Sequence, residues 1–323
     1  MFEATLIQVT TLLIYILVGY FLRRKNIVHE STGKVLSKLL TCVFTPCYTI
    51  SNLSKNISVE RVNVYLSLII AAIIIFFVLL VISLFTSKLL VKDENIRNMF
   101  LYMLLFSNMG YFGCPLIEKT FGAESLVQFL IFTTPLSVAI NTYGYYILVK
   151  PTKAEILALK ESGNEQKINY LKLIISPPLV GVTIGIILGF MPFDMPEIFY
   201  NILSPAGNCM SASAMILTGA ILAKRSFKEL FVSLKSYILA GIKLIIYPII
   251  IGGALFLIGV SKDVFIAATC MACLPAGMNV VVFPESVGKD SIEGAKACFV
   301  QYFIAILTIP IVFYLLESLA VYL

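Results

Sequence analysis

The residues whose types and spacing could do chemistry sit in two short segments, Ser107-Asn108-Met109-Gly110-Tyr111-Phe112-Gly113-Cys114-Pro115 and Leu274-Pro275-Ala276-Gly277-Met278-Asn279. Each interrupts an apolar run. Proline removes a backbone donor and clashes with the preceding turn, while glycine tolerates an open conformation, so both runs should unwind near their middles. In hydrocarbon such backbone is tolerated only where it is buried in protein or lines a wet cavity. Two unwound helices crossing at one point would bring half-helix N-termini together there, each worth roughly half a positive charge. An anionic group is the natural guest. Asn108 and Asn279 add amides that can bond either a ligand or the freed backbone. The candidate substrate-binding residues are therefore Asn108, Gly113, Pro115, Pro275, Gly277 and Asn279.

Such segments need helices to hold them, and the composition supplies these. Of 323 residues, 59% are apolar and only 13% charged, and the mean hydropathy is +0.95. A soluble domain carries about 25% charged residues, so this is the composition of a protein embedded in lipid. A crossing of about 30 Å needs roughly 20 apolar residues. Ten such stretches are found, near 4–22, 34–53, 63–90, 99–119, 124–149, 171–190, 198–223, 234–258, 263–286 and 292–321. The expected class is an all-α integral membrane protein.

Cationic loops stay on the cytoplasmic side during insertion. With the N-terminus outside, most of the 24 Lys and Arg residues fall on inner loops, beginning with Arg23, Arg24 and Lys25. The expected location is a plasma (inner) membrane with both termini outside, and the basic face would also favour anionic lipid. Topology accounts for the net charge of +6, so no nucleic-acid partner is implied. The seven cysteines fall in or near apolar spans and are odd in number, which argues against a disulfide framework. Cys270 and Cys273 form a CxxC, yet the single histidine, His29, lies in a loop, so neither metal nor cofactor is expected.

The polar stretch around 151–170 divides the spans five and five, into a first half at 1–150 and a second at 171–323. An odd number of helices per half inserts the second half upside down, which is an inverted repeat. The fourth span of each half ends alike: Glu118 is followed by Gly122, Glu124 and Ser125, and Glu285 by Gly288, Asp290 and Ser291. Proline also occurs in the second helix of each half, at Pro46 and Pro205.

Asn108-x4-Gly113-x-Pro115-Leu116 and Leu274-Pro275-x-Gly277 resemble the crossover motifs of the auxin efflux carrier family, which includes the plant PIN carriers. Gly19-Tyr20, Pro46, Pro177, Gly219-Ala220-Ile221-Leu222, and Lys243 with Pro248 add to the likeness in the same order along the chain. The resemblance implies a ten-helix, 5+5 inverted-repeat fold with two broken, crossing helices (spans four and nine), similar to bile acid symporters and sodium/proton antiporters. It also implies elevator-like carboxylate transport, with malate or malonate among the substrates of bacterial relatives. The short central loop and Asn279 depart from the plant carriers, which argues against auxin itself.

The four aspartates lie in loops, and Glu118 and Glu285 fall toward helix ends, so a paired-aspartate proton relay is disfavoured. Lys243 lies deep in its span, where a charged lysine costs about 2.5–3.5 kcal/mol. It is a candidate charge partner for the anion, a fixed cation in place of a sodium ion, or a snorkelling side chain near the interface. Thr45, Ser211 and Ser213 are candidates for the cavity lining, although hydroxyls also bond their own helix. Gly181, Gly185 and Gly189 repeat every fourth residue, a spacing for close packing between spans or between subunits.

An intramembrane enzyme is disfavoured by the lack of GxGD, HExxH or any histidine within a span. No selectivity-filter sequence or charged pore row suggests a channel. The reading is a permease for a small organic anion, with a membrane-embedded organic-acid sensor as the alternative. Coupling ion and oligomeric state, a homodimer included, stay open.

Overall fold

The computed structural model describes residues 2–150, 177–192, 195–286 and 289–323. The predicted linker at 151–170 lies outside the described residues. In lipid the backbone must satisfy its own hydrogen bonds, and the described residues accordingly form helices with short connections. These are α1 (Phe2–Arg24), α2 (Glu30–Leu39), α3 (Thr45–Asn56), α4 (Val62–Leu90), α5 (Glu94–Leu105), α6 (Cys114–Ala139) and α7 (Tyr145–Val149). After the undescribed stretch come α8 (Pro177–Gly189), α9 (Glu197–Leu222), α10 (Leu234–Gly241), α11 (Tyr247–Ile258), α12 (Lys262–Cys273), α13 (Asn279–Ser286) and α14 (Ile292–Ala320).

Among the described residues six helical stretches are long and apolar enough to cross a membrane: Phe2–Arg24, Val59–Leu90, Met109–Val149, Glu197–Leu222, Leu234–Ile258 and Ile292–Ala320. Of the remaining expected spans, that at 171–190 begins outside the described residues and is described only as α8, and the other three are broken. The run predicted at 34–53 is divided between α2 and α3, and those at 99–119 and 263–286 are interrupted after α5 and α12. Within Met109–Val149 the chain turns at Gly122, whose φ of +88° and ψ of 176° belong to a region essentially reserved for glycine. The exposed side of α4 is as apolar as its buried side: Leu66, Ile70, Phe77 and Val81 face outward while Leu68, Ala72, Ile75 and Leu79 are packed. A face of that kind needs lipid as its solvent.

Prolines account for most of the irregular helix turns. Thr45, Cys114 and Tyr247 each donate their backbone N–H five residues back, to the carbonyls of Leu40, Met109 and Ile242, and each immediately precedes a proline, Pro46, Pro115 or Pro248. The widened π turn moves aside the carbonyl that the proline ring would strike and absorbs its missing donor. A fourth π turn, Ile140–Gly144, has no proline after it, and nothing in its sequence explains it.

The helices pack in two groups. α1 lies along α9, and α3 against α8 and α9. At the closest approach of α1 and α9, a Cβ added to Gly19 would sit 1.9 Å from the Ile216 carbonyl oxygen, and one on Gly219 would sit 1.8 Å from that of Ile16. Gly181, Gly185 and Gly189 likewise seat α8 on Pro46, Thr49, Leu53 and Ile57 of α3 and the residue after it, so this glycine stripe packs within the chain. The second group comprises α4 to α7 and α10 to α14. The groups meet where α1 touches α14 and where α3 touches α6.

Candidate functional site

The two interrupted segments lie side by side. After α5 the chain is extended through Phe106 and Ser107 to Asn108, and after α12 it is extended at Leu274. They pair as a short antiparallel bridge, Ser107 opposite Ala276. The Asn108 N–H donates to the Pro275 carbonyl at 2.7 Å and the Gly277 N–H to that of Phe106 at 3.4 Å. The last helix supplies the rest. Gln301 Oε1 accepts from the Ala276 N–H at 2.8 Å, and the Tyr302 hydroxyl donates to the Ala276 carbonyl at 3.2 Å. Backbone freed by breaking two helices is thus paired again, as a water-poor interior requires.

The helix ends that back onto this bridge are capped as well. The fully buried Lys243 ammonium donates to the Leu104 carbonyl at 2.9 Å, in the last turn of α5. The Ser107 hydroxyl does the same for Met271 in the last turn of α12, at 2.7 Å. A cation at a helix C-terminus opposes the negative end of its dipole. Lys243 therefore stands behind the bridge and does not line the cavity. The ammonium is fully buried, so it does not snorkel to the surface.

In front of the bridge a cavity of about 420 Å³ opens between the two helix groups. Asn108, Gly277 and Asn279 line it, with Met109, Gly110 and Tyr111 at the start of one half-helix and Met278 at the start of the other. The Asn108 amide donates one N–H to the Tyr302 hydroxyl at 2.7 Å, which fixes its orientation. Gly113, Pro115 and Pro275 are buried off the wall. A Cβ on Gly113 would approach Leu274 Cδ1 to 2.6 Å and the Phe129 ring to 3.2 Å, so this glycine allows close packing. Pro275 supplies the carbonyl bonded by Asn108.

Thr45 lines the cavity, and its buried hydroxyl lies beside Tyr111 but makes no bond of good geometry among the described residues. Ser211 is off the wall and bonds the Tyr111 carbonyl at 3.2 Å, tying α9 to the π turn that starts the half-helix. Ser213 is also off the wall. The wall further includes Ser37, Thr41, Tyr48, Thr49, Tyr102, Thr133, Thr134, Ser137, Asn141 and Thr218, interspersed with aliphatic side chains such as Leu130, Leu179, Val182 and Leu217. Among the described residues no Asp, Glu, Lys, Arg or His lines it. The Tyr102 hydroxyl is buried beside Asn279 but makes no bond of good geometry. Sequence reasoning missed Tyr102, Gln301 and Tyr302. Their signal was available as polar groups inside apolar spans, which in membranes mark positions facing protein.

Glu118 is half-buried on α6, one turn beyond Cys114 of the cavity wall, and accepts a hydrogen bond from the Tyr48 hydroxyl of α3 at 2.7 Å. Beyond it, Arg61 and Glu124 form an ion pair near the Gly122 turn. Cys270 and Cys273 are buried free thiols in the last turns of α12, and the Cys273 thiol bonds the Cys270 carbonyl at 3.2 Å.

A multi-pass helical bundle with interrupted helices around an uncharged polar cavity belongs among the membrane transporters. The membrane transport protein family, the group of the auxin efflux carriers, matches residues 4–313, and this chain belongs to it. It is similar to an uncharacterized transporter of Methanocaldococcus jannaschii, with 27% identity over 229 residues, 68% of this chain and 70% of that protein.

Proposed function

We propose that the chain is a secondary transporter that moves a small organic anion, a carboxylate such as malate or malonate, by alternating access around the interrupted helices. The observation that carries this reading is the pair of half-helix starts, Met109–Tyr111 and Gly277–Asn279, on one cavity wall. The Met109 and Gly277 N–H groups are already bonded, to the Ser107 and Phe106 carbonyls, so it is the dipoles of the two helix starts that favour an anion, and the Asn108 and Asn279 amides can orient it.

The cavity takes its walls from both helix groups, with Thr45, Tyr48 and Thr218 on one side and Asn108, Thr133 and Asn279 on the other. Sliding one group against the other in an elevator-like step would change which side of the membrane reaches the site. On this reading the chain is a ten-span, 5+5 inverted repeat with halves at 1–150 and 171–323, the broken spans four and nine cross at the bridge, and both termini lie outside a plasma membrane.

The test is uptake of labelled malate, malonate and monocarboxylates into proteoliposomes, with and without imposed gradients. Saturable uptake and counterflow support the proposal. Binding without flux would make the protein a sensor and refute transport.

A further inference from the structure

Among the described residues the cavity wall is uncharged, yet the one hydrogen bond that joins a wall residue to a carboxylate crosses the boundary between the two helix groups. Tyr48 sits on α3 in the first group, Glu118 on α6 in the second, and their oxygens are 2.7 Å apart. The carboxylate is half-buried at the α3–α6 contact, where any sliding of the groups must part the pair.

We propose that Glu118 is a proton-binding site that couples proton occupancy to movement of the two groups. Ionised, Glu118 accepts from the Tyr48 hydroxyl in a charge-assisted bond that holds α3 to α6; such bonds are roughly twice as strong as neutral ones. A proton from bulk solvent adds to the carboxylate, Tyr48 keeps its own proton, and the remaining neutral bond holds the contact less tightly. Acidification therefore releases the groups.

The groups facing Glu118 are few. α3 presents the Tyr48 hydroxyl and also carries Cys47 and Lys55, the latter over the Tyr200 ring, and α6 itself presents the Cys114 thiol one turn back. α8, also packed on α6, carries no titratable side chain. Among the described residues, none of Glu3, Tyr15, Tyr20, Arg23 and Arg24 of α1, Tyr65 and Lys88 of α4, Lys262, Asp263, Cys270 and Cys273 of α12, or Tyr111 of the π turn before α6 is hydrogen-bonded or ion-paired to it. Lys119, its neighbour in sequence, is exposed, and Arg61 is engaged with Glu124. Among the described residues no cation is ion-paired with Glu118, which leaves a proton free to compete.

The inference rests on the two-group transport reading, and two measurements separate their failures. The first is infrared difference spectroscopy of the reconstituted protein between about pH 8 and about pH 4, a range that brackets ordinary carboxylates. It should show a protonated-carboxyl band that is missing in Glu118→Gln. If the variant retains the full wild-type spectrum, the proton site is overturned whatever the substrate. The second is proteoliposome flux of whichever carboxylate is carried. If only the protonated form moves, wild-type flux should rise roughly tenfold per pH unit on the alkaline side of the titration. Flux by Glu118→Gln should vary less than about twofold over the same range, because its neutral amide mimics the protonated state. Tyr48→Phe, which removes the donor and leaves the carboxylate, should keep the infrared band and flatten the flux profile. Wild-type pH dependence in Glu118→Gln would overturn the coupling. A Glu118 band with no carboxylate flux would keep the proton site and overturn carboxylate transport.

Discussion

Asn108→Ala separates ligand binding from folding, because the two uses of this residue are divided between its backbone and its side chain. The backbone N–H bond to Pro275 that closes the bridge survives the substitution. Of the side chain's bonds to described protein groups only the one to Tyr302 at 2.7 Å is lost, and the Tyr302 hydroxyl still has the Ala276 carbonyl. A neutral hydrogen bond is worth about 0.5–1.5 kcal/mol net, so unfolding in detergent should shift by no more than that. A bond from the amide to a carboxylate is worth about 1.5–3 kcal/mol. At about 1.4 kcal/mol per tenfold, its loss should raise the half-saturating substrate concentration by roughly 10- to 150-fold. Concentration-dependent uptake in proteoliposomes reads that change, and unfolding monitored by tyrosine absorbance or circular dichroism reads the other. Tyr302→Phe is the control for orientation. It keeps the amide but releases it, so its affinity should fall between the two. Wild-type half-saturation in Asn108→Ala would refute the placement of the anion at the bridge, and a large stability loss with unchanged affinity would make Asn108 a structural residue only.

Three further outcomes follow from packing and charge. Gly219→Val drives a side chain into the Ile16 carbonyl and should separate α1 from α9, at a cost of about 1–3 kcal/mol or more in detergent unfolding; unchanged stability would mean that this contact is not intimate. Gly122→Ala puts a Cβ at a φ of +88° and should cost about 1–3 kcal/mol, although no neighbouring atom lies within 4 Å of the added carbon. Lys243→Met removes a charge-assisted bond worth about 1.5–3 kcal/mol together with a burial cost of about 2.5–3.5 kcal/mol. These nearly cancel, so stability should move by only about 1 kcal/mol, while Lys243→Glu, which sets a carboxylate against the Leu104 carbonyl, should fail to accumulate as folded protein.

Much of this was written in residue types. Composition identified the solvent, and proline with glycine marked where helices stop, at Asn108 to Pro115 and again at Pro275 to Gly277. The partners of those breaks were not legible. That Asn108 bonds Pro275 and Tyr302, across more than half the chain, depends on which spans become neighbours, and no local pattern encodes it. Gly113 and Pro275 lie off the cavity wall, and they were read as ligand contacts because a closely packed or shaped backbone and a ligand contact look the same in sequence. Lys243 was visible as a costly charge, and only the structure shows the Leu104 carbonyl that compensates it. Glu118 looked like a helix-end carboxylate because sequence distance does not report that α3 passes beside it.

The placement of Lys243 bears on how a carrier can both hold and release an anion. A lysine on the cavity wall, about 4 Å from a carboxylate at an effective dielectric constant near 20, would contribute about 4 kcal/mol. That corresponds to roughly a thousandfold slower release at fixed encounter rate. Half-helix ends contribute less, about 0.3–2 kcal/mol each. Among the described residues the only fully buried lysine is spent on the Leu104 carbonyl, at the far end of a half-helix, and the wall keeps hydroxyls, amides and helix starts. The field of the cation reaches the cavity only in attenuated form, by cancelling the negative end of α5. On the proposed reading, such a wall would attract an anion enough to select it and loosely enough to let it leave. Bringing a lysine onto the wall by Thr133→Lys should therefore lower the half-saturating concentration and the maximal rate together. An unchanged maximal rate would show that substrate release does not limit turnover.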